Sequence, residues 1–341
     1  MGFTDIEPIF VVGAPRSGTT LLQLILNAHP DVAIHGEIHF FDEILQLKTE
    51  ISGFETEQDR DRFLGQLGRT NALQYVPGLQ PRLEVVRERL GKAASPGYEL
   101  FFLLMMQAFA EESGASRFGE KTPQNIRYLP ELSEIFPEAK IVHIVRDPRD
   151  VVTSLMRMPW APDSVVLNAL KWKIDMLYMH DYLESGGAAH ELRYEDLVAE
   201  PESTLRTLCR FLDVPWDPVM LAFNRSADAN IQDEPWKAGT RRKLNASAIS
   251  GWKNKLSLSE ARVVQLATSP FLEHYDYERE PLPTAGALRV PWTIAADAGR
   301  YMAGRLSAGK MAETSGEEGR IVGEEGRLRA KMAEAILKRK L

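Results

Sequence analysis

Residues 9–28 read IFVVGAPRSGTTLLQLILNA. Ile9–Val12 is a short apolar run of the kind that fills a parallel strand buried on both faces. A helix is expected over Ser17–Ala28, because Leu21, Leu22, Ile25 and Leu26 recur at helical spacing and His29-Pro30 ends the pattern. Between the two lies GAPRSGTT, Gly13–Thr20. A glycine-rich turn here exposes successive backbone N–H groups at a helix N-terminus, where anions settle. Gly13 and Gly18 allow the tight turn. Ser17, Thr19 and Thr20 add hydroxyl donors, and Arg16 supplies a planar fork that grips two anionic oxygens. The loop departs from GxxxxGK[ST] in one respect: Thr19 stands where that pattern has lysine. Strand, glycine loop, arginine, hydroxyls and helix in this order argue for a bound phosphate-like group over a bare connection.

Outward from the loop, strands and helices alternate. Strands are expected at Asp31–His35, Arg117–Glu120, Lys140–Val145 and His190–Tyr194. Helices are expected at Tyr98–Ser113, Asn125–Phe136, Val151–Met158, Asp163–Ser185 and Pro201–Leu212. This order predicts an α/β fold, a P-loop-like parallel sheet flanked by helices. Residues 38–97 read as mostly helical and polar, broken by Gly53, Pro77-Gly78, Pro81 and Pro96-Gly97, and predict a helical cap insertion over about 47–97. The main domain is expected over 1–281, with a C-terminal extension over 282–341. That extension holds two copies of GEEGR, at 316–320 and 323–327, and ends in a basic amphipathic helix pattern, RLRAKMAEAILKRKL. It reads as a solvated tail or as a docking element.

The 341 residues are 44% hydrophobic, enough for a substantial core. A net charge of −7 argues against a general nucleic-acid binder, so an anionic ligand must be met by local positive charge. Cys209, the single cysteine, forms no internal disulfide and reads as a small buried residue. LFFLLMMQAFA, Leu100–Ala110, is too short to span a bilayer, and the short acidic stretch MGFTDIEPIF is not expected to act as a signal peptide. A cytoplasmic protein without a membrane span is the expectation.

Four blocks resemble one family. PIFVVGAPRSGTTLLQLILNAHPDV is similar to the 5′-phosphosulfate loop of sulfotransferases that use PAPS (3′-phosphoadenosine 5′-phosphosulfate), and KIVHIVRDPRDVVTSLM, Lys140–Met156, resembles their 3′-phosphate segment. The resemblance implies that Arg16, Ser17, Gly18, Thr19 and Thr20 hold the 5′ end, and that Arg146 and Ser154 hold the 3′-phosphate. A structural salt bridge from Arg146 to Asp147 or Asp150 is the competing account. HELRYEDLVAEPESTLRTLCRFLDVPWDP, His190–Pro218, and ISGWKNKLS, Ile249–Ser257, support the same reading. By resemblance Tyr194 approaches the nucleotide, Trp252 packs near the base and Lys253 reaches phosphate. Plain burial explains either aromatic equally well. The blocks cover about residues 8–46, 117–160, 190–220 and 245–278, roughly half of the chain.

The implied reaction passes a sulfuryl group in line from PAPS to an acceptor hydroxyl or amine and leaves PAP. No metal is required, because fixed Arg and Lys charges can neutralise the transition state. AHPDVAIHGE is closest in pattern to the tyrosylprotein and carbohydrate branch, whose base is a glutamate shortly after the first helix. Glu37 matches that position as general base, with a surface carboxylate as the alternative. His35 and His39 flank it as second candidates. The three together, over five residues with no distant fourth donor, are weak evidence for a metal. Lys121, in GEKTP, is expected to stabilise the leaving PAP, against the alternative of a solvent lysine. WKAGTRRKLN lacks a serine that some relatives carry, which leaves Thr240, Lys237 or no residue in that role.

The acceptor is a small molecule, a carbohydrate or a peptide. Phe40, Phe41, Trp160 and Tyr178 are expected near its pocket, which the cap and the helix from Asp163 shape. The resemblance also brings in a homodimer, which no residue of the sequence requires. Two other functions compete. A P-loop kinase or nucleotidase fits the bare loop, but the missing lysine and the RDPRDVVTS block weigh against it. A non-catalytic PAP-binding protein would not need Arg16, Glu37 and Lys121 together.

Overall fold

The structure, a computed structural model, describes residues 3, 5–51, 53–67, 79–225, 249–281 and 289–312, with side chains of the last segment to 301. Lys237, Thr240, Pro77-Gly78, both GEEGR copies and the terminal basic pattern lie outside the described residues. The chain divides into two compact units. The first comprises the described residues of 1–13, 18–144 and 182–245, and the second those of 14–17, 145–181 and 246–341.

Five strands form one sheet: β1 (Ile9–Val12), β2 (Val32–His35), β3 (Arg117–Glu120), β4 (Lys140–Val145) and β5 (Ala189–Arg193). Their order is β2-β3-β1-β4-β5. Central β1 pairs in parallel with β3 and β4, setting Ile9 opposite Gly119 and Lys140. All four β1 residues are fully buried, the exposure its unbroken apolar sequence requires.

In the first unit, α1 (Thr19–Asn27) follows the loop and turns a run of leucine and isoleucine inward. It begins two residues later than expected, because Gly18 is left-handed at φ 105° and cannot continue a helix. Its C-terminal end clamps β2: Asn27 exchanges hydrogen bonds with Ile34 N and O, and Gln23 donates to the same carbonyl. The cap contributes α2 (Glu57–Leu67) and α3 (Leu79–Lys92), followed by α4 (Tyr98–Ser113). Arg82 of α3 is buried; it makes a bidentate pair with Glu112 of α4 and bonds the His35 ring. Phe40 and Phe41 differ from expectation. They are buried core residues, Phe40 stacked on Phe102 at 4.3 Å and Phe41 on Tyr128 at 4.9 Å. The helix expected over Asn125–Phe136 is broken into a 3₁₀ turn, Pro123–Arg127, and α5 (Leu129–Ile135). Pro130 lacks an N–H and fits the first turn of a new helix, not the interior of an old one. Tyr194 starts α8 (Tyr194–Ala199) instead of ending β5, and α9 (Pro201–Phe211) follows.

In the second unit, α6 (Pro148–Leu155) starts at its proline, with Asp147 accepting from Arg149 N at 2.8 Å as N-cap. The helices α7 (Val165–Glu184, of which the residues to Asp181 belong here), α10 (Leu258–Thr268), α11 (Phe271–His274) and α12 (Val290–Ala312) complete it. Val152, Val165, Ala169, Val263 and Val264 form its core. Asp297 of α12 is buried and caps α7, accepting from Val165 N at 2.7 Å, Val166 N at 3.2 Å and the Ser164 hydroxyl. Among the described residues no helix is long and apolar enough to cross a membrane.

Candidate active site

The loop after β1 has three positive φ angles: Gly13 at 156°, Arg16 at 73° and Gly18 at 105°. A side chain at Gly13 would come within 2.5 Å of the Ile144 carbonyl oxygen, and one at Gly18 within 2.6 Å of the Tyr194 ring. Both glycines are therefore demanded by close packing as well as by backbone conformation. Arg16 is a non-glycine residue held in left-handed geometry, a strain that proteins keep at functional turns. Among the described residues no side chain caps α1. Ser17 is fully buried, and its hydroxyl has no hydrogen-bond partner among the described residues. An uncapped helix N-terminus and an orphaned buried hydroxyl are donors that an anion satisfies.

Residues of the second unit converge on this arginine. Arg16 Nε donates to Ser154 Oγ at 3.0 Å, and Arg146 Nη1 donates to the Arg16 carbonyl at 3.4 Å. Strand-end Arg146 and Ser154 on α6 are thereby brought to the loop, although they lie over a hundred residues from it in sequence. The aspartates beside Arg146 also engage other groups. Asp147 takes a bidentate pair from Arg149, at 2.9 and 2.7 Å, while Arg149 also bonds Gln265 and the Glu278 carbonyl. Asp150 accepts from Trp252 N at 2.8 Å. Burial raises the Asp150 pKa, and the nearby Arg146 charge opposes that rise. Trp252 is buried with the Arg149 guanidinium 4.4 Å from its ring, and its indole N–H has no hydrogen-bond partner among the described residues. Lys253 pairs with Glu280 at the surface. Tyr194, in the first unit, is buried with its ring against Gly18.

A second cluster stands in the first unit at the ends of β2 and β3. Lys121 is buried, not a solvent lysine, and its ammonium lies 2.5 Å from Glu37 Oε1. The backbone N–H of Lys121 bonds the His35 carbonyl at 2.9 Å, which extends the strand pairing up to the site. His39 Nε2 is 3.3 Å from Glu37 Oε2. Burial alone would lower the His39 pKa, but the hydrogen bond and charge of Glu37, with Asp42 and Glu120, leave it raised above 6.5. His35 has both ring nitrogens engaged, Nδ1 with the Gly36 carbonyl at 2.7 Å and Nε2 with Arg82 at 2.9 Å. Burial and then the Arg82 charge push its pKa down to about 3, so it has no nitrogen to offer an acceptor.

Sequence reasoning passed over Glu120. Its carboxylate is fully buried and accepts from Ile38 N at 3.0 Å, from Asn125 Nδ2 at 2.8 Å and from the Thr122 hydroxyl. It ties the loop that carries Glu37 and His39 to the loop that carries Lys121. The only signal in the sequence was a carboxylate at the end of a short strand beside a lysine, which does not separate a buried anchor from a surface pair. Among the described residues no cluster of three His, Cys, Asp or Glu is placed to hold a metal.

The parallel sheet with a glycine loop after its central strand is a P-loop-like fold. A model of the sulfotransferase family matches residues 8–218, and the chain belongs to that family. It is 31% identical over 228 residues to protein-tyrosine sulfotransferase A of Caenorhabditis elegans, covering 64% of this chain and 53% of that protein. Protein-tyrosine sulfotransferase 1 of Danio rerio is 28% identical over 291 residues, 82% of this chain and 74% of its own length. The chain thus spans about half the length of the nematode relative. The solved sulfotransferase domain of the Synechococcus PCC 7002 olefin synthase shares the fold: TM-score 0.58 and 23% identity, over 81% of this chain and 97% of that domain.

Proposed function

We propose that this chain is a PAPS-dependent sulfotransferase that acts on an acceptor hydroxyl or amine. The observation that carries the reading is the joining of Arg16, Ser154 and Arg146 beside the orphaned hydroxyl of Ser17. PAPS, when bound, supplies a sulfuryl group activated by its 5′-phosphate and departs as PAP. Arg16, Ser17 and the first N–H groups of α1 hold the 5′ anion, and Arg146 with Ser154 holds the 3′-phosphate. Glu37 accepts the acceptor's proton. Lys121 neutralises charge that develops on the leaving group. In the structure the Lys121 ammonium rests on the Glu37 carboxylate. His39 orients Glu37 from the other side. The names of the relatives favour a peptide tyrosine hydroxyl as acceptor.

Melting temperature measured with PAP, ADP and ATP–Mg²⁺ tests the cofactor. A ligand at about 100 times its Kd adds about 2.7 kcal/mol if it binds only the folded chain. A shift with PAP and little with ADP is expected; a shift with ATP–Mg²⁺ and none with PAP would point to a kinase-like protein. Glu37→Gln is expected to abolish transfer from PAPS and to leave the PAP shift intact. Full transfer by that variant would remove Glu37 from the base role.

A further inference from the structure

A cavity of about 970 Å³ opens within the second unit, where α7 meets the segment from Leu266 to Arg279. It is separate from every residue given a role in sulfuryl transfer. Its volume lies at the upper end of the range that takes drug-sized ligands. Leu177, Leu266, Pro270 and Phe271 supply apolar walls. The rings of His180 and His274 stand edge-on to each other, 6.2 Å apart, and each meets Phe271 edge-to-face.

The polar lining is unbalanced. Lys173 is buried, and among the described residues its ammonium has one partner, the Ser269 carbonyl at 2.5 Å. An ammonium has three donors, so two remain. Burial lowers the Lys173 pKa, and among the described residues no carboxylate pairs with its ammonium. Glu273, the carboxylate in the lining, is already paired with Arg279, which also donates to Ser269 Oγ at 2.6 Å. A buried cation without a counter-ion is costly, and a residue with that environment inside a cleft is a mark of a functional site.

We propose that this cavity binds an organic anion, with a carboxylate or sulfonate head on Lys173 and an apolar or aromatic body against Phe271, Leu177 and Leu266. The ligand supplies the charge that the described residues do not. This site stands or falls independently of the transfer reaction, because none of its residues holds PAPS or Glu37.

Calorimetric titration of the full chain with sodium benzoate tests it, with benzyl alcohol as the uncharged control. Saturable binding of benzoate and none of benzyl alcohol is expected. Lys173→Met keeps the stem's bulk, removes the charge and should weaken benzoate roughly tenfold or more. Leu266 is more than half exposed, so Leu266→Glu is expected to fold normally and to weaken benzoate by repulsion at the mouth. That variant carries the test if Lys173→Met fails to fold. The PAP melting shift, measured on the same variants, should stay at its wild-type value, including if that value is zero. No saturable benzoate binding overturns the proposal. So does benzoate binding that is equal in wild type and variants, or matched by benzyl alcohol.

Discussion

Glu120→Gln should make the protein more stable at alkaline pH, and the size of the gain follows from the burial of one carboxyl. Burial pushes the Glu120 pKa up to about 7 from 4.5, although the Ile38 N–H, the Thr122 hydroxyl and the charges of His39 and Lys121 pull it down. The folded chain therefore binds a proton more tightly than the unfolded chain does. The stability linked to that proton is present in full below the unfolded pKa of 4.5, and is lost as pH rises through the folded pKa of about 7. At ~1.36 kcal/mol per pH unit, the gap corresponds to about 3 kcal/mol. Glutamine keeps the shape and never ionises. Its oxygen can accept from Ile38 N and the Thr122 hydroxyl, and its amide can donate to Asn125 once that amide turns round. Urea denaturation should be compared for the two proteins from about pH 4.5 to about pH 8.5. The variant should gain on wild type by about 3 kcal/mol across that range, mostly between about pH 5 and about pH 7. His39 titrates in both proteins, so only the part of its shift due to Glu120 fails to cancel in the comparison. Parallel stability profiles, or a difference that shrinks as pH rises, would refute the buried-carboxyl account.

Other perturbations probe the loop and the packing of α12. Gly18→Ala places a methyl 2.6 Å from the Tyr194 ring at φ 105°. Backbone strain of about 1–2 kcal/mol and overpacking of about 1–3 kcal/mol should destabilise the fold and abolish the PAP melting shift; a variant of wild-type stability would contradict the packing described for the loop. Asp297→Ala deprives Val165 N and Val166 N of their cap, and should cost about 1–2 kcal/mol in denaturant unfolding. An unchanged midpoint would mean that α12 does not cap α7. Arg146→Ala should weaken PAP roughly 10- to 100-fold, and adenosine 5′-phosphate far less, when both are titrated calorimetrically. Equal losses would sink the assignment of Arg146 to the 3′-phosphate.

Much of the frame was legible in local sequence. Ile9–Val12 and Lys140–Val145 became strands, as their apolar runs require, and the glycines of GAPRSGTT take the positive φ angles that the turn demands. Proline was harder to place. Pro130 and Pro148 each open a helix at a point where the apolar period alone put the boundary elsewhere. Phe40 and Phe41 were expected among the aromatics of the acceptor pocket. Their partners, Phe102 and Tyr128, decide that they are core. In RDPRD two arginines flank Asp147, and the capped start of α6 gives the carboxylate to Arg149.

The sequence by itself determined the strand–loop–helix unit, the alternation that makes a parallel sheet, and the residue types an anion needs. Those features depend on neighbours within a few positions: backbone sterics, side-chain period and the donors of one turn. Only the tertiary structure decided which charges are buried and what meets them. Glu120 finds Ile38 across 82 residues, Arg16 finds Ser154 across 138, and Asp297 finds Val165 across 132. A side chain's dielectric surroundings and its hydrogen-bond partners come from segments that only the assembled fold brings together, so its protonation and its role are settled at that level.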